Sequence, residues 1–308
     1  MIIRPAPTIV LLFLIALTPA CAAEKAELRR HTVMADGHPI AVWEKSAQGA
    51  SEAVLLVHGR TWSARPDFDL QVEGEELSLM DGLVEKGYAV FAVDLRGYGE
   101  TPRDETEWLT PNRAADDVAI VVSWITAAGG WRIKPHLFGW SMGSTISQLA
   151  VQRHPDAASS LTLFGYWRDD DIQIPADEPG LVPAKAKNTA EAAASDFIIP
   201  GSISQKAIDA YVAQSLAADP VRVDVRQMDQ YNALDGSRIT LPTLVIAGES
   251  DPLAPAANQA KLFLRLATGH KQYVSVPGGD HAAFLEKPRA YFIHELTGFM
   301  QGVAYSED

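Results

Sequence analysis

Apolar residues along this chain gather in short unbroken runs rather than alternating with polar ones. The runs fall at residues 53–57 (AVLLV), 89–93 (AVFAV), 136–138 (HLF), 161–164 (LTLF), 243–247 (TLVIA) and 273–276 (YVSV). Uninterrupted stretches rich in β-branched residues are the pattern of strands covered on both faces. Ahead of them, residues 28–34 and 40–43 read as a strand pair joined by the turn Ala35-Asp36-Gly37-His38-Pro39. Between the runs the period changes. Val118, Val121, Val122 and Ile125 follow helical spacing, with Thr110 as a cap, Pro111 at the first position and Gly129-Gly130 as a stop. Leu77, Met80 and Val84 form a similar stripe ending at Gly87, and Ile146, Leu149 and Ala150 another. Strand–helix alternation with short links predicts an α/β fold, a mostly parallel, doubly wound sheet.

One stretch breaks this rhythm. Between residues 166 and 238 no buried strand is legible, and prolines stand at 175, 179, 183, 200 and 220. So long a segment inside a domain is expected to be an insertion with helices of its own, a cap. The expected organisation is a core over 28–165 and 239–303, interrupted by a cap insertion over 166–238. The 308 residues suit one large α/β domain better than two.

Charge narrows the partners. Twenty-six Lys and Arg against 39 Asp and Glu give −13, which repels a phosphate backbone, so nucleic acid is excluded as an expected partner. Residues 1–22 read as a signal peptide. Arg4 supplies a positive start, residues 8–17 (TIVLLFLIAL) are apolar, and Ala20-Cys21-Ala22 fits small-x-small cleavage before Ala23. The apolar run is far shorter than the roughly 20 residues a membrane-spanning helix needs, so no stable span is expected. The expected location is periplasmic or secreted. Cys21, the one cysteine of the chain, stands where a lipoprotein cysteine would stand, and a lipid anchor there is the alternative. In either case no disulfide forms within the chain and the fold depends on core burial. Oligomeric state is not legible.

The chemistry-bearing motif is Gly139-Trp140-Ser141-Met142-Gly143, set between the run at 136–138 and the helical stripe from Ile146. A strand that turns sharply into a helix holds the middle residue in strained dihedrals and tolerates only tiny residues two positions away on each side. Ser141 is therefore the candidate nucleophile. A serine hydroxyl needs a base, itself oriented by an acid. Glu249 and Asp251 follow the run at 243–247, and Asp280 and His281 follow the run at 273–276. His58 closes a strand and reads as structural, while His154, His270 and His294 read as exposed.

In His58-Gly59-Arg60, Asp94-Leu95-Arg96-Gly97-Tyr98-Gly99, the Gly139 to Gly143 motif, Gly248 to Pro255 and Gly278 to Pro288, the chain resembles the α/β-hydrolase family, in particular its esterase, C–C hydrolase and perhydrolase-like branch. The resemblance spans about residues 30 to 300. It implies a triad of Ser141, Asp251 and His281, favouring Asp251 over Glu249 and Asp280 as the acid. It further implies an oxyanion hole from the backbone N–H groups of Met142 and Arg60. The turn from Asp94 to Gly99 reads as structural. Trp62, Trp140, Tyr166 and Trp167 are the candidate pocket residues, with Tyr211 and Tyr231 as further aromatics of the cap.

The expected function is hydrolysis of a carboxylic ester or related acyl bond on a small-molecule acyl substrate, without metal or organic cofactor. Aminopeptidase, lactonase, C–C hydrolase and perhydrolase activities use the same triad, and a non-catalytic binding protein would use the same scaffold. A serine at the elbow argues against the carboxylate-nucleophile branches that cleave haloalkanes and epoxides. The side chain of Arg60 either faces the substrate or turns outward to an acid such as Asp67 or Asp69.

Overall fold

Inward-facing residues come from both sides of every central strand, and that explains the unbroken apolar runs. In the computed structural model, which describes Met1 and residues 25–306, Leu55 and Val57 point into one buried cluster. Val54 and Leu56, their alternates, point into a second cluster on the opposite face. A side-chain period of 2 along a strand therefore makes two separate cores from one continuous run. The signal segment and Cys21 lie outside the described residues.

Eight strands form one sheet in the order β1-β2-β4-β3-β5-β6-β7-β8. They are β1 (Arg29–Ala35), β2 (His38–Ser46), β3 (Ala53–Val57), β4 (Ala89–Val93), β5 (His136–Trp140), β6 (Ser160–Phe164), β7 (Thr243–Gly248) and β8 (Lys271–Val276). β1 and β2 form the antiparallel hairpin, β2 meets β4 antiparallel, and every remaining pairing is parallel. The sheet is of the α/β-hydrolase fold.

Helix α3 (Pro111–Ala128) and helix α4 (Met142–Arg153) cover one face, where Val118, Val121, Val122, Ile125, Ile146 and Leu149 join the first cluster. Helix α2 (Leu79–Glu85) and helix α8 (Arg289–Ser306) cover the other through Leu79, Met80, Leu83, Phe292, Leu296 and Phe299. Thr110 occupies the N-cap position of α3, but its side chain makes no capping bond. The expectation of a side-chain cap is corrected there; Pro111 alone sets the first turn, since its missing N–H needs no acceptor. In α2 the cap is Ser78, whose Oγ accepts from the Asp81 N–H at 2.9 Å.

Between β6 and β7 the chain forms α5 (Ala190–Ala194), α6 (Gln205–Ala218) and two 3₁₀ turns at Met228–Ala233 and Gly236–Arg238. A short helix α1 (Ala64–Phe68) follows β3, and α7 (Ala256–Arg265) follows β7. The segment between β6 and β7 is anchored by buried polar contacts. Tyr211 of α6 is fully buried and its hydroxyl lies 2.9 Å from Asp67 of α1 and 3.1 Å from Asp196. One phenolic proton cannot serve both carboxyl groups, so one of them is itself a donor. Burial raises both, Asp196 to about 6 and Asp67 well above its ordinary value.

Candidate active site

Ser141 stands where β5 turns into α4, with φ 54° and ψ −117°. Positive φ at a residue bearing a Cβ is strained and persists only when its surroundings fix it. Here the Ser141 N–H donates to the Phe164 carbonyl at 2.9 Å, and the Ser141 carbonyl accepts from the Ser144 N–H at 3.0 Å. The turn closes so tightly that a Cβ on Gly139 would lie 2.2 Å from the Gly143 carbonyl oxygen. One on Gly143 would lie 2.2 Å from the Val57 carbonyl oxygen. Any larger residue at either position would push the serine out of place.

The loops after β7 and β8 bring Asp251 and His281 together. His281 Nδ1 lies 2.7 Å from Asp251 Oδ2, with both side chains buried. The other carboxylate oxygen accepts from the N–H groups of Leu253 at 2.8 Å and Ala254 at 3.0 Å. With three donors the carboxylate is fully engaged, which fixes its orientation and holds the Nδ1–H tautomer of the imidazole, leaving Nε2 as the basic nitrogen. From below, Trp140 Nε1 donates to the His281 carbonyl at 2.6 Å and its ring lies 5.6 Å from the imidazole.

The rival acids do other things. Glu249 is exposed and accepts from the Gly278 N–H at 2.8 Å, closing the turn between its own loop and the next. Asp280 is fully buried, and its Oδ2 accepts from the N–H groups of Ile198 at 2.9 Å and Ile199 at 2.8 Å in the insertion. Its Oδ1 accepts from Ala282 at 2.9 Å. Neither carboxylate has a hydrogen bond to His281 among the described residues.

A cavity of about 280 Å³ opens onto this group, lined by Arg60, Ser141, Met142, Trp167, Val225, Met228, Tyr231, Leu253 and His281. Of the four expected pocket aromatics only Trp167 lines it. Trp62 is buried in the second core cluster. Trp140 packs beneath His281, against Phe284. Tyr166 is buried and donates from its hydroxyl to Asp170 at 2.8 Å. All three are corrected on the same ground, since proximity to a motif in sequence does not say which way a side chain turns. Tyr231 does line the cavity and meets Trp167 edge to face at 6.0 Å. Tyr211 does not. Val225, Met228 and Leu253 went unmarked in the sequence; Leu253, two residues beyond Asp251, carried the one usable positional signal.

Arg60 faces neither of the acids expected for it. Asp69 is held by Lys45 at 2.6 Å and Asp67 by Tyr211. The Arg60 guanidinium instead lies 3.7 Å from Asp224.

Two further motif residues are structural in geometry. His58 Nδ1 bonds the Gly59 carbonyl at 2.8 Å, and its Nε2 accepts from the Leu95 N–H at 3.0 Å. Burial lowers its pKa to about 4, so the ring is neutral. Asp94 accepts from Trp43 Nε1 at 2.9 Å, Ala64 N–H at 3.0 Å and Glu100 N–H at 3.1 Å, while burial raises it to about 6. Among the described residues no group of His, Cys, Asp and Glu side chains is arranged to hold a metal ion, and no helix is long and apolar enough to cross a membrane.

Known proteins resemble this chain in sequence and in fold. The chain is 25% identical over 230 residues to pimeloyl-[acyl-carrier protein] methyl ester esterase of Aeromonas salmonicida (strain A449), covering 66% of this chain and 82% of that one. It is 28% identical over 223 residues to 2-(acetamidomethylene)succinate hydrolase of Mesorhizobium japonicum, covering 63% of this chain and 72% of the relative. Among solved structures, a thermophilic esterase from Thermogutta terrifontis superposes with a TM-score of 0.61 at 20% identity, covering 90% of this chain and 99% of that one. The family model described as serine aminopeptidase, S33, matches residues 48–288. That match takes in the elbow and the loops of Asp251 and His281, and the chain belongs to this family of hydrolases on the α/β-hydrolase fold.

Proposed function

We propose that this serine hydrolase cleaves a carboxylic ester or closely related acyl bond through an acyl-enzyme on Ser141. The observation that supports it is the meeting of Ser141 and the Asp251-bound His281 on the wall of one cavity. In this reading His281 Nε2 takes the Ser141 proton as Oγ attacks the carbonyl carbon, then returns it to the leaving alcohol oxygen. Asp251 holds the ring in the working tautomer and balances the imidazolium. Water attacks the acyl-enzyme with His281 again as base, and the acid is released with Ser141 regenerated.

The N–H groups of Met142 and Arg60 are the proposed oxyanion donors. Met142 opens α4, so its N–H has no partner four residues back and sits at the positive end of the helix dipole. The Arg60 N–H has no acceptor among the described residues. Side chains and backbone complete the cycle, and the reading uses no cofactor.

The relative named as a methyl ester esterase supports the ester reading. An aminopeptidase would need an anionic group for the free ammonium of its substrate, and among the described residues no carboxylate lines the cavity. The test is Ser141→Ala, which should lower kcat on a chromogenic ester at least roughly 10⁴-fold and abolish labelling by a fluorophosphonate while keeping the parental Tm. A folded variant with parental turnover would sink the mechanism. We also propose export with cleavage before Ala23. Intact mass of the mature protein checks this, and a diacylated Cys21 at the new N-terminus would replace it with a lipoprotein.

A further inference from the structure

The cavity wall away from the catalytic group is apolar, with Trp167, Val225, Met228, Tyr231 and Leu253, except at one point. Arg60 brings a guanidinium to it. Of the five N–H donors on that group, none makes a hydrogen bond among the described residues. Its one counter-ion among the described residues, Asp224 Oδ1, lies 3.7 Å away, beyond hydrogen-bond length, and the same oxygen lies 3.5 Å from Arg222 Nε. Two guanidiniums thus share one carboxylate, and of the three groups only Arg60 lines the cavity, with its side chain 38% exposed.

A partly exposed guanidinium at the edge of an apolar cavity is placed to receive an anion, because it offers a carboxylate two parallel bonds that Asp224 does not take. The overall −13 does not oppose this at close range. Charges beyond the Debye length of about 8–10 Å are screened, whereas a direct contact is not.

We propose that Arg60 forms an anion subsite of the acyl pocket, so that the favoured substrate carries a carboxylate a short chain away from the scissile carbonyl. This rests on the serine-hydrolase reading above. Because the Arg60 backbone is also the proposed oxyanion donor, the anion would bind one side-chain length from the reacting carbon. A short dicarboxylic acid monoester is the class that fits, and a neutral long-chain ester is the class it disfavours.

The experiment is protection of Ser141 from fluorophosphonate labelling by monomethyl glutarate, with dimethyl glutarate as its uncharged counterpart. In the parent protein the monoester should protect at a concentration at least about 10-fold lower than the diester. Arg60→Met should raise the monoester concentration needed by roughly 10- to 100-fold, the scale of a charge-assisted hydrogen bond, with a smaller change for the diester. Asp224→Asn, which frees Arg60, should lower it severalfold. Equal protection by both esters in the parent, or unaltered monoester protection in Arg60→Met, would overturn the subsite. If Arg60→Met fails to fold, unaltered or weaker protection in Asp224→Asn overturns it in its place. Absence of labelling in the parent would instead overturn the serine-hydrolase reading, and this proposal with it.

Discussion

Gly165 sits against the His281 imidazole, and replacing it with alanine tests the proposed role of that ring apart from fold stability. The residue follows β6 with φ +63°, and a Cβ there would lie 2.8 Å from His281 Cε1 and 3.1 Å from Nδ1. Carbon atoms rest at about 3.5–4.0 Å, so the ring must move by roughly 0.7–1.2 Å. It has little freedom to do so, being tied to Asp251 at 2.7 Å and flanked by Trp140 and Phe164. A misplacement of about 1 Å at a reacting group costs on the order of 100-fold. The backbone adds a separate penalty, since left-handed conformation costs an alanine about 1–2 kcal/mol, a few degrees in Tm for a chain of this size. Gly37→Ala is the control, because Gly37 has φ +75° in the hairpin turn with nothing within 4 Å of an added Cβ. We expect both variants to lose Tm, Gly165→Ala the more because of the added clash, and Gly165→Ala alone to lose about two orders of magnitude in kcat/KM on a chromogenic ester. Parental kcat/KM in Gly165→Ala, or an equal loss in Gly37→Ala, would refute the reasoning.

Asp251→Asn should lower kcat by roughly 10³–10⁴-fold, because an amide neither fixes the tautomer nor balances the imidazolium. Glu249→Gln should change it little, since the amide oxygen still accepts from the Gly278 N–H; exchanged phenotypes would move the acid to Glu249. Burial raises buried Glu286 from 4.5 to about 7, so its folded pKa exceeds its unfolded one. Stability tied to its protonated form is then complete below about pH 4.5 and is lost as pH rises through 7. Glu286→Gln keeps an acceptor for the Ser202 hydroxyl, which donates to Glu286 in the parent. Thermal melts should show Glu286→Gln gaining stability over the parent above pH 7 and matching it near pH 4.5, and a constant difference across that range would contradict the burial argument.

The strands were legible in the sequence because burial on both faces leaves a mark at every position of a run. The elbow was legible because a steric demand on two glycines, where an added Cβ would lie 2.2 Å from a carbonyl oxygen, can be stated without a structure. The pocket was mostly not. Trp62, Trp140 and Tyr166 adjoin the motifs, yet each turns into a core or a second hydrogen bond. Val225 and Met228 come from a segment with no period to read. The partner of Arg60 was missed for a related reason. Asp67 and Asp69 are near in sequence but were already taken by Tyr211 and Lys45, whereas Asp224 arrives from more than 160 positions away and sequence carries no sign of that meeting.

What the long-range contacts add is a physical role for the insertion between β6 and β7. Asp219, at the end of α6, is 2% exposed, and its two oxygens accept from the N–H groups of Ser63 and Gly99, each at 2.8 Å. Ser63 belongs to the same loop as Arg60, and between them Thr61 is held at φ +93°. That is a costly conformation for a β-branched residue and one that relaxes unless its neighbours prevent it. The neighbours include Tyr98, whose hydroxyl lies 3.5 Å from the Thr61 N–H and 3.4 Å from the Val223 carbonyl of the insertion. On the far side of the site, the N–H groups of Ile198 and Ile199 bond Asp280, one residue before His281, and the Lys287 N–H bonds the Ser202 carbonyl at 2.9 Å. One inserted segment therefore braces both the loop carrying Arg60 and the loop carrying His281. Shortening it would release the strained turn at Thr61 and the loop carrying His281 together, so its length is constrained by the geometry of the candidate site as well as by the shape of the cavity.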